Sequence, residues 1–232
     1  MRVALISDLH IHGSRDPTQA AFVRWLDALE VDQLVLLGDI FHAWWGYRQT
    51  VPVDYLATCA ALQRVRERGI ELIVVPGNHD FALGPFFTET LQAQVQSAHV
   101  RVIDGRRVCL AHGDEADVSA GYRLLTGVLR GAPFAAAMRL LGPVYGMRLL
   151  QRLARSSREH MVPAAPLLQA QEAWAAERIR EGSELVVLGH LHHPQIVSLS
   201  GGQMVRLGGW GHDRTWCLLE DGHPTLVVTP TA

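Results

Sequence analysis

The chain has 232 residues, of which 48% are hydrophobic and 19% charged, and its 21 basic residues nearly balance its 23 acidic ones. This composition excludes collagen-like, disordered and disulfide-scaffold proteins, and the near-neutral charge argues against a nucleic-acid-binding protein. The length predicts a single domain over residues 1–232, with room for one large insertion. Every basic residue is Arg, whose planar guanidinium matches phosphate oxygens.

The sequence predicts a cytoplasmic protein that is not integral to a membrane. Its first apolar run ends at Asp8 and is too short for the core of a signal peptide. Arg residues interrupt the longer apolar stretches before they reach the roughly 18 residues that a membrane span needs. The three cysteines are odd in number, widely spaced and set among apolar neighbours, which predicts reduced core thiols.

Short runs rich in Val, Ile and Leu predict strands that are buried on both faces. Five such runs precede residue 190: 3–6, 34–37, 72–75, 108–111 and 185–188. Apolar residues at helical spacing follow Pro17, and a second helix is predicted over 53–68, ended by Gly69. Shorter strands separated by Gly-containing turns are predicted at 196–199, 204–207, 216–219 and 225–228. This order predicts an α/β fold in which two packed mixed sheets are flanked by helices.

Residues 118–170 differ from the rest of the chain. They contain seven Arg and one acidic residue, Glu159, so this segment carries +6 and the remaining chain −8 of the net −2. Its apolar residues have helical spacing, and helix breakers occur at 131–133, 142–143 and 163. The segment predicts a basic helical insertion, which is either a lid over an anionic ligand or membrane surface or an ordinary helical hairpin that covers a sheet.

Residue types that bind divalent metals stand at the ends of five apolar runs. The clusters are Asp8-Leu9-His10, Gly38-Asp39, Gly77-Asn78-His79-Asp80, His112-Gly113 and Gly189-His190-Leu191-His192. Each cluster alone is a weak signal, but ligands that follow successive strands are expected to converge at the carboxyl edge of a sheet. The five together predict a dinuclear metal site.

This ordered pattern resembles that of the calcineurin-like metallophosphoesterase superfamily, over essentially the whole chain. The resemblance implies an αββα metallophosphoesterase sandwich with residues 118–170 as a lid. It implies that one ion is held by Asp8, His10, Asp39 and His192, and the other by Asp39, Asn78, His112 and His190, with Asp39 bridging. The two ions are expected to be Mn²⁺, with Zn²⁺, Fe or Co as alternatives. The implied reaction is hydrolysis of a phosphoester by water, without a covalent intermediate.

The same resemblance implies catalytic roles for His79 and Asp80. His79 is expected to neutralise phosphoryl charge or to protonate the leaving oxygen rather than to bind metal. Asp80 is expected either to orient His79 or to act as a structural hydrogen-bond acceptor. The remaining histidines are not expected to be ligands, although His12 and His193 lie close enough in sequence to line the pocket.

Further stretches resemble the UDP-2,3-diacylglucosamine pyrophosphohydrolases of bacterial lipid A synthesis. They are residues 38–46, 78–84, 112–114, 120–123, 157–159 and 207–210. In that group a helical insertion caps the metals and forms an apolar chamber for acyl chains. The resemblance implies the products UMP and 2,3-diacylglucosamine 1-phosphate. It also implies a set of substrate-binding residues: Asn78, His79, Tyr122, Ser157 and Arg158.

One departure leaves alternatives open. The best-characterised members of that group have Arg at the position of His79, whereas this chain has the His that the wider superfamily uses. The alternatives are a metallophosphoesterase for a soluble phosphodiester, nucleotide or phosphoprotein, and a non-catalytic scaffold of the same fold. For the lipid-linked nucleotide sugar, the basic insertion is expected to meet an anionic membrane surface, at the cytoplasmic face of the inner membrane. Neither nucleic acid nor an obligate protein partner is expected.

Overall fold

Two mixed β-sheets lie face to face at the centre of the protein. The computed structural model describes residues 1–117, 119–159 and 164–230, and at residues 155–159 and 164 it describes the backbone only. In chain order the strands of the described residues are Arg2–Ile6 (β1), Gln33–Leu36 (β2), Trp44–Trp45 (β3), Glu71–Val74 (β4), Asp80–Ala82 (β5), Gln94–Val95 (β6), His99–Ile103 (β7), Arg106–Leu110 (β8), Leu185–Leu188 (β9), Gln195–Leu199 (β10), Gly202–Arg206 (β11), Thr215–Glu220 (β12) and His223–Val228 (β13).

Helices cover both outer faces of the paired sheets. The α-helices of the described residues are Pro17–Ala28 (α1), Leu56–Glu67 (α2), Ala120–Leu129 (α3), Ala132–Glu159 (α4), Ala164–Arg180 (α5) and Trp210–Asp213 (α6). Helix α1 begins where the sequence predicts, because Pro17 occupies its first turn and the Asp16 carboxylate accepts a hydrogen bond from the Thr18 amide at 2.8 Å.

The strand order places parallel strands in the middle of each sheet. The first sheet runs β13-β12-β1-β2-β4-β6, with β1, β2, β4 and β6 parallel and β12 and β13 antiparallel to their neighbours. The second runs β10-β11-β9-β8-β7, with β8, β9 and β11 parallel and antiparallel strands at both edges. A separate ladder pairs β3 with β5.

Side chains of successive residues pack on opposite faces of the central strands. Leu5 belongs with Val187 to the apolar cluster between the sheets, whereas its neighbour Ile6 belongs to the cluster that includes Phe22 of α1 and Leu62 of α2. All five side chains are fully buried. On the far side of the second sheet, helix α5 forms a further apolar layer with the strands. The predicted fold class, two mixed sheets flanked by helices, is confirmed.

Every predicted strand lies within two residues of an observed one, but β7 and the short strands β3, β5 and β6 were not predicted. Strand β7 lies at the edge of the second sheet, where its residues alternate between half-buried and exposed. Arg101 separates the exposed Val100 and Val102, so the strand lacks the continuous hydrophobicity of the central strands.

The predicted basic insertion contains more helix than the expected pair. Helices α3 and α4, which we call the α3–α4 segment, are followed by α5, and α4 is bent at Gly142, whose φ is 68° and which precedes Pro143. Helix α5 continues to Arg180, beyond the expected end at residue 170, and its later residues Ala175 and Ile179 pack on the second sheet. The break predicted at residue 163 lies outside the described residues.

Candidate metal centre

The five sequence clusters meet at one edge of the sandwich. Asp8, Asp39 and Asn78 follow β1, β2 and β4 of the first sheet, and His112 and His190 follow β8 and β9 of the second. These strands are parallel within each sheet, so their carboxyl ends lie side by side. Face-to-face packing of the sheets then brings the two sets of loops together.

Five predicted ligands have left-handed backbone conformations. The φ angles are 56° at Asp8, 47° at His10, 55° at Asp39, 73° at His190 and 50° at His192. Non-glycine residues rarely adopt positive φ, and each instance costs on the order of 1–3 kcal/mol. Such strain is typical of functional sites, where the surrounding structure holds the chain in a conformation that directs side chains to one point.

Carboxylates and imidazoles converge around Asp8 and Asp39. The Asp8 Oδ1 atom lies 3.2 Å from His192 Nε2 and 3.7 Å from His10 Nε2. The Asp39 Oδ2 atom lies 3.7 Å from His10 Nε2 and 3.6 Å from His112 Nε2. The two carboxylates are buried, and these five residues make up two groups, within each of which the donor atoms lie within 4.8 Å of one another.

The other two predicted ligands contact His112. The Asn78 Oδ1 atom lies 3.1 Å from His112 Nε2, and the rings of His112 and His190 have centroids 5.1 Å apart. The Nδ1 atom of His112 lies 2.7 Å from the Leu37 carbonyl oxygen. Because a carbonyl only accepts, Nδ1 carries the proton and Nε2 is left to face Asp39 and Asn78.

Charge balance in this buried site is reached through the histidines. Burial raises the pKa of Asp8, but the hydrogen bond from His192 and the nearby imidazoles outweigh burial and hold it well below its ordinary value. Burial likewise opposes ionisation of Asp39, and the charges of His112 and other imidazoles lower its pKa overall. Burial alone would lower the pKa of His112, but the two carboxylates raise it to about 10.

The described hydrogen bonds of Asp80 are with backbone amides, and its predicted catalytic role stays a prediction. Its Oδ2 atom accepts hydrogen bonds from the backbone amides of Asp39 at 2.9 Å and Gly77 at 3.0 Å, tying the second and third clusters together. Burial, followed by repulsion from Asp39, raises the pKa of Asp80 to about 6. The His79 ring is held elsewhere, because its Nδ1 atom lies 2.7 Å from the His42 carbonyl oxygen.

His79, which is not predicted to bind metal, nevertheless lies next to the carboxylate of Asp39. Its Nε2 atom is 3.9 Å from Asp39 Oδ2, and it forms a further possible metal-binding group with His10 and Asp39. Its backbone amide donates to Asp39 Oδ1 at 2.8 Å. Its role as a catalytic group rather than a ligand stays a prediction.

Two glycines next to ligands are required by close packing. A Cβ atom on Gly77 would overlap Oδ1 of Asp39 and lie 2.8 Å from the Asp39 amide nitrogen. A Cβ atom on Gly189 would lie 2.5 Å from Ser7 Oγ and 2.8 Å from Asp8 Oδ2. The glycines of the third and fifth clusters therefore allow two strand ends to approach the carboxylates at distances that other residues exclude.

A polar triad links the α3–α4 segment to this edge. The Tyr122 hydroxyl donates to Asp114 Oδ2 at 2.7 Å, and Arg130 Nη2 lies 3.3 Å from the same oxygen. Arg130 also reaches the Gly77 carbonyl at 3.5 Å, while its side chain remains 48% exposed. No sequence motif around Arg130 indicates that this residue lies near the site. The side chains of the other predicted substrate residues on this segment, Ser157 and Arg158, lie outside the described residues.

The α3–α4 segment docks beside the loop that carries Asp39. The Tyr47 hydroxyl donates to the carbonyls of Met138 at 2.9 Å and Gly142 at 3.0 Å, and the ring of Trp45 lies 5.9 Å from that of Phe134. Met138 is fully buried in the core that includes Trp45. The inner face of α4 is thus held by residues that follow the second cluster.

The outer face of the same segment is apolar and basic. Its exposed apolar side chains include Leu140, which is 90% exposed, and Leu124, which is 72% exposed. Arg139, Arg148 and Arg152 of the same segment are exposed as well. Within the described residues no single helix has the length and hydropathy of a membrane span, although α3 together with Ala132–Ala154 meets that test as a pair bent by 47°.

Three histidines outside the predicted ligand set, His12, His42 and His212, lie near it. The His42 ring stacks on that of His12, with centroids 4.3 Å apart, and the exposed His212 ring lies 5.8 Å from that of His192. The prediction that His12 lines the pocket is compatible with this position. His212 is brought near by α6, far along the chain, and no local sequence signal points to it.

The donor set fits borderline divalent ions. Imidazole nitrogens and carboxylate and amide oxygens are the ligands of Mn²⁺, Zn²⁺, Fe and Co sites, and here they converge with their backbones preorganised. A bound cation would also offset the buried carboxylates that the histidines otherwise neutralise. Because protons and metal compete for the same imidazoles, metal binding is expected to release protons.

The comparisons with known proteins agree with this geometry. Two bacterial proteins named UDP-2,3-diacylglucosamine hydrolase are similar to this chain over nearly their full lengths. That of Marinobacter nauticus is 31% identical over 241 aligned positions, covering 98% of this chain and 97% of the relative. That of Escherichia coli O6:H1 is 28% identical over 221 positions, covering 90% of this chain and 91% of the relative.

A solved structure of an archaeal phosphodiesterase shares the fold, with a TM-score of 0.54 at 12% identity, covering 99% of this chain and all of the other. The family model described as calcineurin-like phosphoesterase matches residues 1–229. That match spans all five clusters and both sheets. The chain therefore belongs to the calcineurin-like phosphoesterase family, and it is a metal-dependent phosphoester hydrolase.

Proposed function

We propose that the protein hydrolyses the pyrophosphate of UDP-2,3-diacylglucosamine, releasing UMP and 2,3-diacylglucosamine 1-phosphate. The observation that carries this proposal is the α3–α4 segment, which joins an exposed apolar and basic surface to a site for phosphoester hydrolysis. A soluble substrate would give no reason for Leu140 and Leu124 to face water. The relatives named for this reaction cover nearly the whole chain.

The proposed centre contains two divalent ions, with Mn²⁺ as the first choice. Asp8, His10, Asp39 and His192 would hold one ion, and Asp39, Asn78, His112 and His190 the other. Ions bound there would stabilise phosphoryl oxygens as Lewis acids and lower the pKa of the attacking water. Asp39 suits a shared ligand, because its Oδ2 atom faces His10 on one side and His112 on the other.

His79 is the proposed general acid. The His42 carbonyl holds its Nδ1 proton, so the ring presents Nε2 toward the carboxylates. An imidazolium in this position would donate its Nε2 proton to the leaving phosphate oxygen as the P–O–P bond breaks. The water supplies the oxygen that completes the other phosphate, so the two products together contain one added water molecule.

Arg130 is the proposed partner of the diphosphate. Its guanidinium borders the third cluster through the Gly77 carbonyl, and about half of its side chain is exposed. It is also anchored to the buried Asp114, which keeps it near the site without using all of its donors. Tyr122, which shares Asp114, is proposed to bind the head group, and Ser157 and Arg158 are proposed to do so from the same segment.

The proposed setting is the cytoplasmic face of the inner membrane, where the lipid-linked nucleotide sugar is found. Exposed Arg139, Arg148 and Arg152 would attract anionic head groups, while the neighbouring apolar side chains would contact the lipid. No protein partner is required by this proposal.

The test is mass spectrometry of the products formed from UDP-2,3-diacylglucosamine in detergent by the Mn²⁺-supplied protein. We expect UMP and 2,3-diacylglucosamine 1-phosphate, absent when Asp39→Ala replaces the wild-type protein. Reaction in H₂¹⁸O would place the label on one product and so identify the phosphorus that is attacked. Hydrolysis of a chromogenic phosphodiester without cleavage of the lipid substrate would refute the proposed substrate and retain the phosphoesterase.

A further inference from the structure

One buried side chain of α5 contacts both ligand-bearing loops of the second sheet. The Gln171 Nε2 atom donates to the Gly189 carbonyl at 3.0 Å and lies 3.4 Å from the Gly113 carbonyl. Gly189 precedes His190, and Gly113 follows His112. Only 1% of Gln171 is exposed, so this amide is shielded from water and connects the backbones of the two histidine loops.

Arg206 determines which way the Gln171 amide points. Its Nε atom donates to Gln171 Oε1 at 2.9 Å, and the Arg206 side chain is fully buried. A guanidinium has no acceptor, so the amide oxygen must face Arg206 and the amide nitrogen must face the two carbonyls. Glu172 Oε1, 3.2 Å from Arg206 Nη2, balances the buried charge, and Gln195 Oε1 accepts from Nη1 at 3.2 Å.

The loops around Gln171 leave little space for adjustment. Gly113 has a φ of 111°, and a Cβ atom there would lie 2.6 Å from Gln171 Nε2. The Gly189 amide donates to the His112 carbonyl at 2.7 Å, so the loops are also joined to each other. A shift of the Gln171 amide would therefore move His112 and His190 relative to one another.

We propose that Gln171, oriented by Arg206, is a positioning residue for the metal ion held by His112 and His190. The inference rests on the two-metal centre proposed above. Among its described contacts Gln171 does not reach the loops that carry Asp8 or Asp39. The Gly189 loop also carries His192 of the other ion, but both carbonyls that Gln171 binds adjoin His112 and His190, so its influence falls mainly on the ion that these two residues would hold. Groups that orient metal ligands contribute about 10- to 100-fold to metal affinity.

The decisive variant is Gln171→Glu. It preserves the side-chain shape and the acceptor for Arg206, but it replaces the donor with an anionic oxygen facing two carbonyl oxygens. In a Mn²⁺ titration of the metal-free full-length protein, we expect one of the two ions to bind about 10- to 100-fold more weakly than in the wild-type protein, and the affinity for the other ion to change much less. Electron paramagnetic resonance at two equivalents of Mn²⁺ per protein should show mostly isolated ions in the variant and coupled pairs in the wild-type protein.

The matched control is Gln195→Leu, which removes another acceptor of Arg206 without touching either loop. It should bind two ions with wild-type affinity. Wild-type binding by Gln171→Glu would overturn the inference, as would equal weakening of both ions with a lower Tm, which would indicate a merely structural role. If Gln171→Glu does not fold, Gln171→Leu, which removes the donor without adding charge, decides by the same criteria.

The number of ions that the wild-type protein binds distinguishes failure of this inference from failure of the two-metal proposal on which it rests. Wild-type protein that binds fewer than two ions would refute the two-metal centre and, with it, the inference. Two ions in the wild-type protein, with no selective loss in the variant, would refute the inference alone.

Discussion

The strand-end loops and the α3–α4 segment are held in place in different ways. In the loops, Asp8 and Asp39 are buried and accept hydrogen bonds from backbone amides of other clusters, at His190 and His79. The α3–α4 segment is anchored on one side only, and its other side exposes apolar and basic residues. The loops are therefore specified by contacts within the protein, whereas the segment is suited to contacts with something outside it.

The largest effect is expected where two clusters share one carboxylate. Replacing Asp39 by Ala removes a group that faces both His10 and His112, so turnover should fall to background and bound metal should be lost. Turnover and metal content by elemental analysis check this. The control is Asp27→Ala, which removes an exposed carboxylate paired with Arg64 on the helical layer. Normal metal content in Asp39→Ala would contradict a shared ligand.

The next effect separates catalysis from metal binding within the loops. His79→Ala should retain metal and lower kcat by about 10²- to 10⁴-fold, because it removes the proposed general acid. Steady-state kinetics and metal analysis of the same sample check this, with exposed His223→Ala as the control. A change in KM alone would rule out the general-acid role, and loss of metal would make His79 a ligand.

A third change acts on the α3–α4 segment and leaves the loops intact. Replacing Arg139, Arg148 and Arg152 together by Gln removes three exposed charges. Each is worth about 1 kcal/mol at an anionic surface, so binding to vesicles that contain anionic lipid should weaken by about 100-fold. Sedimentation with vesicles measures this, and hydrolysis of a soluble chromogenic phosphodiester should be unchanged.

The control for that change keeps the same charge difference but moves it elsewhere. Arg15, Arg24 and Arg180 are exposed outside the α3–α4 segment, and their replacement by Gln lowers the net charge equally. Vesicle binding should stay near the wild-type value. Equal weakening by both triple variants would mean that overall charge, rather than this surface, governs membrane binding.

The smallest expected effects come from a Gly→Ala substitution, which adds one methyl group, in each of the two regions. Gly77→Ala places a Cβ atom against the Asp39 carboxylate and should lower metal affinity by at least about tenfold. Gly127→Ala, in α3, meets no atom within 4 Å and should leave metal affinity unchanged while raising helix stability by about 0.5–1 kcal/mol. Metal titration and thermal unfolding of both variants test the contrast. Equal metal affinity in the two variants would show that the loop at Gly77 accommodates a Cβ atom without displacing the Asp39 carboxylate.

Much of the fold and the metal centre could be predicted from the sequence because the relevant signals are local. The central strands are buried on both faces, which requires continuous apolar runs such as 3–6 and 185–188. The predicted ligands at strand ends stand close behind those runs, as Asp8 and His190 do, each two residues after the last apolar residue. Strand β7 was missed because it lies at a sheet edge and has no continuous apolar run: the polar His99 and Arg101 alternate with the exposed Val100 and Val102.

The sequence by itself thus determined the fold class and the set of metal-binding residue types, since each depends on short stretches of neighbouring residues. Tertiary structure alone decided that Arg130 reaches the Gly77 carbonyl and that Gln171 joins the loops of His112 and His190. Those contacts connect residues 18 to 58 positions apart in the chain. No local pattern encodes them, because they exist only once the sheets have packed and the helices have docked against their edges.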